Sequence, residues 1–460
     1  MGSVEHPHIA LLAFPFGTHA APLLSLAHSL AASAPPGTFF SFVSSRRSVS
    51  SLSLSVSPSD NIRFYEVSDG SPVLAPAAAS GMLEDPEEEV RLFMKETPGN
   101  YRRALEAAVE GCAGTRVTCI IADAFLWFVG EIAAENGVGW VPLWTGGPCS
   151  FQAHLYTDLL RDRIGVGEKA DLDADLQFIP GLASLRVRDL PEDIVTGHLD
   201  GAFATMLYRM ATELPRSTST IILNSFEGLH PEIDADLATK FRKPLPIGPL
   251  NLLFPSPAVP EPVSSSRCLA WLDKFEPDTV VYVSFGTVVD LPPSELAELA
   301  LGLESSGSPF LWSIKDPAKA KLPAGFLDRT RDRGLLVPWI PQVAVLNHNA
   351  VAAFLSHCGW NSVLESMTCG VPMVCRPFLG DQMLNSKVVS QVWKVGVRLH
   401  NGPMTSTNVA EAIKTVVAGD EGKNMRDRAA KMREKATGSV RPDGSSVRNL
   451  NTLLEIVFAR

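Results

Sequence analysis

Apolar residues in the first half of the chain fall in short continuous runs, separated by segments with helical spacing. The run HIALLAF at 8–14 is followed by AAPLLSLAHSLAAS at 20–33, with apolar positions at helical intervals, and then by FFSFVSS at 39–45. Continuous apolar runs of this length read as strands buried on both faces, and a strand-helix-strand succession requires a parallel pair. VTCIIA at 117–122 and VGWVPLW at 138–144 repeat the signal around a helix expected over 128–135 that ends near Asn136-Gly137. The alternation restarts later with TVVYVSF at 279–285, a helix expected over 294–304, PFLWSI at 309–314, LLVPW at 335–339, AAFLSH at 352–357 and VPMVCR at 371–376.

Between the two series lies PLPIGPLNLLFPSPAVPEPVSSS at 244–266, dense in proline and serine. Such a stretch cannot sustain a helix or a central strand and reads as a semi-rigid linker. The expected architecture is α/β, with two Rossmann-like, doubly wound domains over 1–243 and 267–444. The length of 460 residues agrees, at about 150 residues per domain, with two or three domains. Ligands of open parallel sheets bind outside the carboxyl ends of the strands, so functional residues are expected just after strands, in a cleft between the domains.

Composition narrows the function. Hydrophobic residues at 45% and charged residues at 20% exclude a disordered or coiled-coil chain. Forty Lys and Arg against fifty Asp and Glu give a net charge of −10, which argues against nucleic acid as a partner. Seven scattered cysteines with no CxxC pair suggest neither a disulfide framework nor a zinc cluster, and point to a reducing compartment, the cytoplasm. The opening MGSVEHPH lacks the basic cluster of a secretion signal and the residue pattern of a myristoylation site. The most apolar long stretch, 117–134, is interrupted by Asp123 and Glu131, so no transmembrane helix is expected. No GxxxxGK[ST] loop, no GxGxxG after the first strand and no HExxH is present, which disfavours kinase, ATPase, nicotinamide and metalloprotease chemistry.

Candidate chemistry sits where the strands end. His19, in FPFGTHAAP, follows the first strand, where a neutral imidazole could take a proton from a hydroxyl; it could equally be a helix-capping or surface residue. Asp123 closes VTCIIAD and could fix the tautomer of His19, or merely cap the next helix. The strand AAFLSH leads through Cys358-Gly359 into a helix near Asn361-Ser362. Free amides and the helix dipole there suit a diphosphate, with His357 beside them. Glu365 lies on the same side of that helix as Ser362 and could grip two ribose hydroxyls or belong to a capping box. Trp339 could stack on a base or fill a core, and Asp381-Gln382 could bind sugar hydroxyls or cap a helix.

The segment from Trp339 to Gln382 resembles the plant secondary product glycosyltransferase signature, and the whole chain resembles plant family 1 UDP-sugar glycosyltransferases. FPFGTHAAPLL, ADAFLWF, LWTGGP, NSFEGL and VSFGTV make it most similar to the flavonoid and anthocyanidin 3-O-glucosyltransferases. The resemblance implies the two-domain GT-B fold, with a last helix near 445–458, within 445–460, crossing back to the first domain. It implies inverting transfer from UDP-glucose to a flavonoid 3-hydroxyl, the alternatives being another flavonoid position, another small phenol or a non-catalytic binding protein; no metal or cofactor and no partner but the two substrates are expected, with a monomer as the default. His19 is the implied base and Asp123 its orienting carboxylate. Trp339, with Gln342 and the backbone of Val343, is the implied uracil site and Glu365 the ribose ligand. Thr18 is an implied donor contact, Thr287, His357, Asn361 and Ser362 match diphosphate contacts, and Thr145, Trp360, Asp381 and Gln382 match sugar contacts. The terminal glutamine is associated with glucose. Phe16, Phe125 and His154 match acceptor contacts. Glu87 and Pro191 stand where some relatives have glutamine, and these departures bear on the choice of acceptor.

Overall fold

A computed structural model describes residues 6–53, 61–70, 86–195, 199–254, 263–286, 291–399 and 403–459. The chain divides into two compact units, Met1–Val259 with Ser439–Arg460, and Pro260–Gly438.

The first unit is built on seven parallel strands: β1 (His8–Leu12), β2 (Phe39–Ser45), β3 (Ile62–Val67), β4 (Cys119–Asp123), β5 (Gly139–Trp144), β6 (Thr220–Leu223) and β7 (Lys243–Pro246). Their order is β3-β2-β1-β4-β5-β6-β7. All five residues of β1 and of β4 are buried, as continuous apolar runs at the centre of a helix-covered sheet require. The helix Ala20–Ser33 lays Leu23, Leu24, Ala27 and Leu30 against Ile9, Leu11, Phe40 and Ile121. Leu453 and Val457 of the helix Ser445–Val457 join the same core, and Asn449 Nδ2 donates to the Pro246 carbonyl at 3.0 Å. The end of the chain thus completes the first unit.

The expected linker at 244–266 needs correction. Its first residues form β7, which pairs with β6, and Leu245, Ile247 and Leu250 enter the core. Proline is tolerated because β7 is an edge strand. The amides of Lys243 and Ile247 donate to Ser219 and Leu223, and Pro244 and Pro246 occupy the alternate positions, whose N–H groups would face the open edge. A short helix, Leu250–Leu253, follows, and Val263–Leu272 is helical in the second unit.

The second unit carries β8 (Val280–Ser284), β9 (Phe310–Ser313), β10 (Gly334–Val337), β11 (Val351–Ser356), β12 (Met373–Cys375) and β13 (Gly396–Arg398), all parallel, in the order β10-β9-β8-β11-β12-β13. Val281, Val283, Leu355, Trp312 and Phe326 anchor its core. In both sheets the strand order reverses beside the first strand, between β1 and β4 and between β8 and β11. Diverging connections open a crevice at such a point, so each unit offers one ligand site at the carboxyl ends of that pair. Among the described residues, no helix is long and apolar enough to cross a membrane.

Candidate active site

In the first unit the crevice holds the expected pair. His19 immediately precedes the helix Ala20–Ser33, but its side chain does not cap it. Instead Nδ1 donates to Asp123 Oδ2 at 2.8 Å. Asp123 ends β4, is 1% exposed, and accepts the Phe125 amide at its other oxygen at 3.0 Å. A carboxylate fastened at both oxygens holds the Nδ1–H tautomer, which leaves Nε2 as the basic nitrogen. Thr145 Oγ1, just beyond β5, lies 3.0 Å from the same Nδ1 as a second acceptor. Thr145, expected as a sugar contact, therefore stands beside the base, and Thr18 is exposed in the turn just before it.

Aromatic rings surround the imidazole. Phe125 lies 4.5 Å from it between centroids and Phe14 lies 5.2 Å away edge-on. Phe16 and Phe93 pack against Phe14, while Trp144 and Phe203 pack against Phe125. Flat apolar walls next to a base suit a flat phenolic acceptor. His154 is buried at the edge of Trp144, and burial lowers its pKa although Asp193, 3.9 Å away, opposes this, so it is a neutral hydrogen-bonding group. Pro191 is buried and its carbonyl accepts the Ile194 amide in the short helix Glu192–Val195. The Glu87 carboxylate is engaged elsewhere than expected: it accepts the amides of Ala202 and Phe203, the first residues of the helix Ala202–Ser217. It ties the helix Pro86–Glu96 to the element that carries Phe203.

The second unit's crevice is shaped for an anion. The helix Trp360–Cys369 starts at Gly359 with no side chain capping its first amides. Cys358, ahead of it, has φ +66°, a left-handed conformation that costs a non-glycine residue about 1 kcal/mol or more. Two contacts hold it there: its amide donates to Ser356 Oγ at 3.3 Å, and its carbonyl accepts Asn385 Nδ2 at 3.1 Å. The His357 ring lies over Gly286 and Gly359; a Cβ at Gly359 would come within 2.5 Å of its Nε2, so only glycine admits the ring. Burial pushes the His357 pKa down to about 4, and its Nδ1 has no partner among the described residues. A neutral imidazole beside the first amides of a helix is a ready donor to phosphate oxygen. Ser362 is buried and Asn361 half-buried on the first turn.

Trp339 is 58% exposed, which removes the core alternative and leaves a free indole face. Glu365 does not cap its helix; its Oε2 accepts Gln342 Nε2 at 2.5 Å, and burial pushes its pKa up to about 7. Val343 is half-buried in the helix Gln342–Leu346. Asp381 Oδ2 accepts Asn385 Nδ2 at 3.0 Å. Gln382 Oε1 accepts the amides of Phe378 and Leu379 at 3.0 and 3.3 Å, which shapes the loop ahead of it. Trp360 is 5% exposed, with its ring near Trp393, so a sugar contact by its indole face is not what this packing offers. Thr287 lies outside the described residues.

Sequence reasoning missed the walls and the braces. Phe14, Phe93, Trp144 and Phe203 read as ordinary core aromatics, and only the proximity of Phe14 and Trp144 to strand ends marked them. Gly286 carried a signal in its place just beyond β8, after Phe285. Asn385 carried none, because polar partners that meet across a fold leave no local spacing.

Residues 43–432 match the family model described as UDP-glucoronosyl and UDP-glucosyl transferase. The chain is 46% identical over 455 residues to a flavonol 3-O-glucosyltransferase of Arabidopsis thaliana, covering 98% of this chain and 97% of that one. It is 45% identical over 465 residues to a myricetin 3-O-rhamnosyltransferase of Crocosmia x crocosmiiflora, covering 99% of each. Among solved structures it superposes with a TM-score of 0.92 on a UDP-glucose: anthocyanidin 3-O-glucosyltransferase in complex with UDP, at 36% identity and covering 100% of both chains.

Proposed function

The chain belongs to the UDP-glucoronosyl and UDP-glucosyl transferase family, and we propose that it transfers glucose from UDP-glucose to the 3-hydroxyl of a flavonoid, a flavonol or an anthocyanidin, with inversion at the anomeric carbon. The observation that carries this reading is the His19–Asp123 pair set among aromatic walls. A non-catalytic binding protein has no use for a tautomer-fixed histidine beside its ligand.

His19 Nε2 accepts the proton of the flavonoid hydroxyl as that oxygen attacks C1 of the UDP-α-glucose. The bond from C1 to the β-phosphate oxygen breaks, and UDP leaves with the electron pair. The product is a β-glucoside, and the imidazolium, stabilised by Asp123, later returns its proton to water. A phenol's pKa of about 10 places this transfer within reach of a histidine base. Charge gathering on UDP is met by the amides opening the helix Trp360–Cys369, by His357 and by Ser362, and we expect turnover without a metal. Trp339 takes the uracil face and Glu365 the ribose hydroxyls. The seven scattered cysteines, with no CxxC pair, suit a reducing compartment, where we place the protein.

The relatives differ in the sugar their names carry, so the donor is tested directly. UDP release is followed with UDP-glucose, UDP-galactose and UDP-rhamnose against quercetin, cyanidin and trichlorophenol, with each product's linkage read by NMR. A flavonoid 3-O-β-glucoside formed fastest from UDP-glucose is the expected result. Another linkage, or preference for another donor, overturns the corresponding half of the proposal.

A further inference from the structure

Gln342 makes two donations from a single nitrogen: Nε2 reaches Ser362 Oγ at 3.1 Å and Glu365 Oε2 at 2.5 Å. Its other terminal atom, Oε1, accepts the Tyr282 hydroxyl at 3.3 Å. Tyr282 stands on β8, 1% exposed, its ring stacked on Phe354 at 5.1 Å and 18° and its hydroxyl also bonded to Ser284. An amide has no intrinsic preference for which terminal atom points where; a partner decides it. Here the ionised Glu365 carboxylate, which can only accept, draws Nε2, and the Tyr282 hydroxyl, donating to Oε1 from the other side, holds the amide in that orientation.

Two consequences follow for the nucleotide site. Ser362 Oγ receives a hydrogen bond from Gln342, so its own proton is free to donate to an anion. Glu365 is held at Oε2 by a donor, which fixes the carboxylate plane and leaves Oε1 to accept hydroxyls. With the amide reversed, Oε1 of Gln342 would face the carboxylate and both settings would be lost. We propose that Tyr282 is a positioning residue for donor binding, acting through Gln342 to set the hydrogen-bond polarity of Ser362 and Glu365. The inference rests on the reading of this crevice as the UDP-sugar site.

The test is a double-mutant cycle on the full chain, with UDP-glucose as the probe in calorimetry and in steady-state kinetics. Tyr282→Phe keeps the ring and its stack on Phe354. It is expected to weaken UDP-glucose binding about three- to tenfold, the range of one net hydrogen bond, while kcat at saturating donor and the KM for the flavonoid stay unchanged. In a Gln342→Ala background the same replacement is expected to have no further effect. A merely structural tyrosine would weaken binding equally in both backgrounds, and that outcome overturns the inference, as does unchanged binding by the single variant. Failure of the unmutated protein to bind UDP-glucose would instead overturn the reading of the site itself.

Discussion

Replacing Asp123 by asparagine and by alanine separates two roles that the carboxylate combines. In the proposed mechanism it stabilises the imidazolium formed on proton transfer, and it dictates which nitrogen of His19 carries the resting proton. In Asp123→Ala, Thr145 Oγ1 remains 3.0 Å from Nδ1 and can still accept its proton, so the productive tautomer survives. What is lost is one hydrogen bond to a charged group, about 1.5–3 kcal/mol, or roughly 10- to 150-fold in kcat. In Asp123→Asn the amide must satisfy two donors at once, the Phe125 N–H and the His19 Nδ1–H. With one carbonyl oxygen it serves Phe125 and presents its NH2 to Nδ1, which drives the proton to Nε2 and removes the base. The expected loss is then roughly 10²- to 10⁴-fold, a full general-base contribution. The more conservative replacement is therefore the more damaging. Initial rates at saturating UDP-glucose, alongside calorimetric affinities for UDP-glucose that should not change, measure it. An asparagine variant more active than the alanine variant would refute the tautomer argument.

Other outcomes follow from single contacts. Trp339→Ala should weaken UDP-glucose binding by roughly 5- to 150-fold, from a stacking contribution of about 1–3 kcal/mol, without lowering the melting temperature, since the indole is 58% exposed. EDTA should leave turnover unchanged; loss of activity restored by Mg²⁺ would contradict the account of leaving-group stabilisation. Glu87→Gln removes a charge from the start of the helix Ala202–Ser217, worth about 0.3–1 kcal/mol, and should raise the flavonoid KM through Phe203 while sparing the KM for UDP-glucose. UDP-glucose should bind more tightly at pH 8 than at pH 6, because burial pushes the Glu365 pKa up to about 7 and only the ionised carboxylate accepts two hydroxyls. Binding at intermediate pH should release a proton, seen as a dependence of the calorimetric heat on buffer ionisation enthalpy.

What could be read from the sequence divides along physical lines. β1, β2 and the helix Ala20–Ser33 were plain because burial on two faces and helical spacing are local patterns, and the strand ends then located His19, Asp123 and His357. β7 was not, since prolines that exclude a central strand are compatible with an edge, and edge position is a property of the assembled sheet. The boundaries of the units shifted for the same reason: Leu245 and Leu250 are bound to the first unit by a core contributed from far along the chain. Trp339 and Glu365 stayed ambiguous in sequence because only exposure removes the core alternative for the one, and only its hydrogen-bond partner removes the capping alternative for the other. The roles of Glu87 and Tyr282 were beyond reach, because each depends on which backbone amide or side chain lies opposite.

The two histidines of the crevices show how one residue type acquires opposite tasks from its partners. His19 and His357 each follow a strand that borders a reversal of strand order, β1 and β11, in sheets of the same order. His19 has a buried carboxylate on Nδ1, so an added positive charge has a counter-charge waiting and the ring can accept a proton during reaction. His357 has no carboxylate partner among the described residues and is packed over Gly286 and Gly359; burial lowers its pKa to about 4 and keeps it neutral. A neutral ring donates a hydrogen bond without bringing a proton that could be lost to the departing phosphate. The proposed acid-base residue and the proposed anion-binding residue are thus distinguished by the presence of a single partner, Asp123, which no inspection of either histidine's own neighbours in sequence would supply.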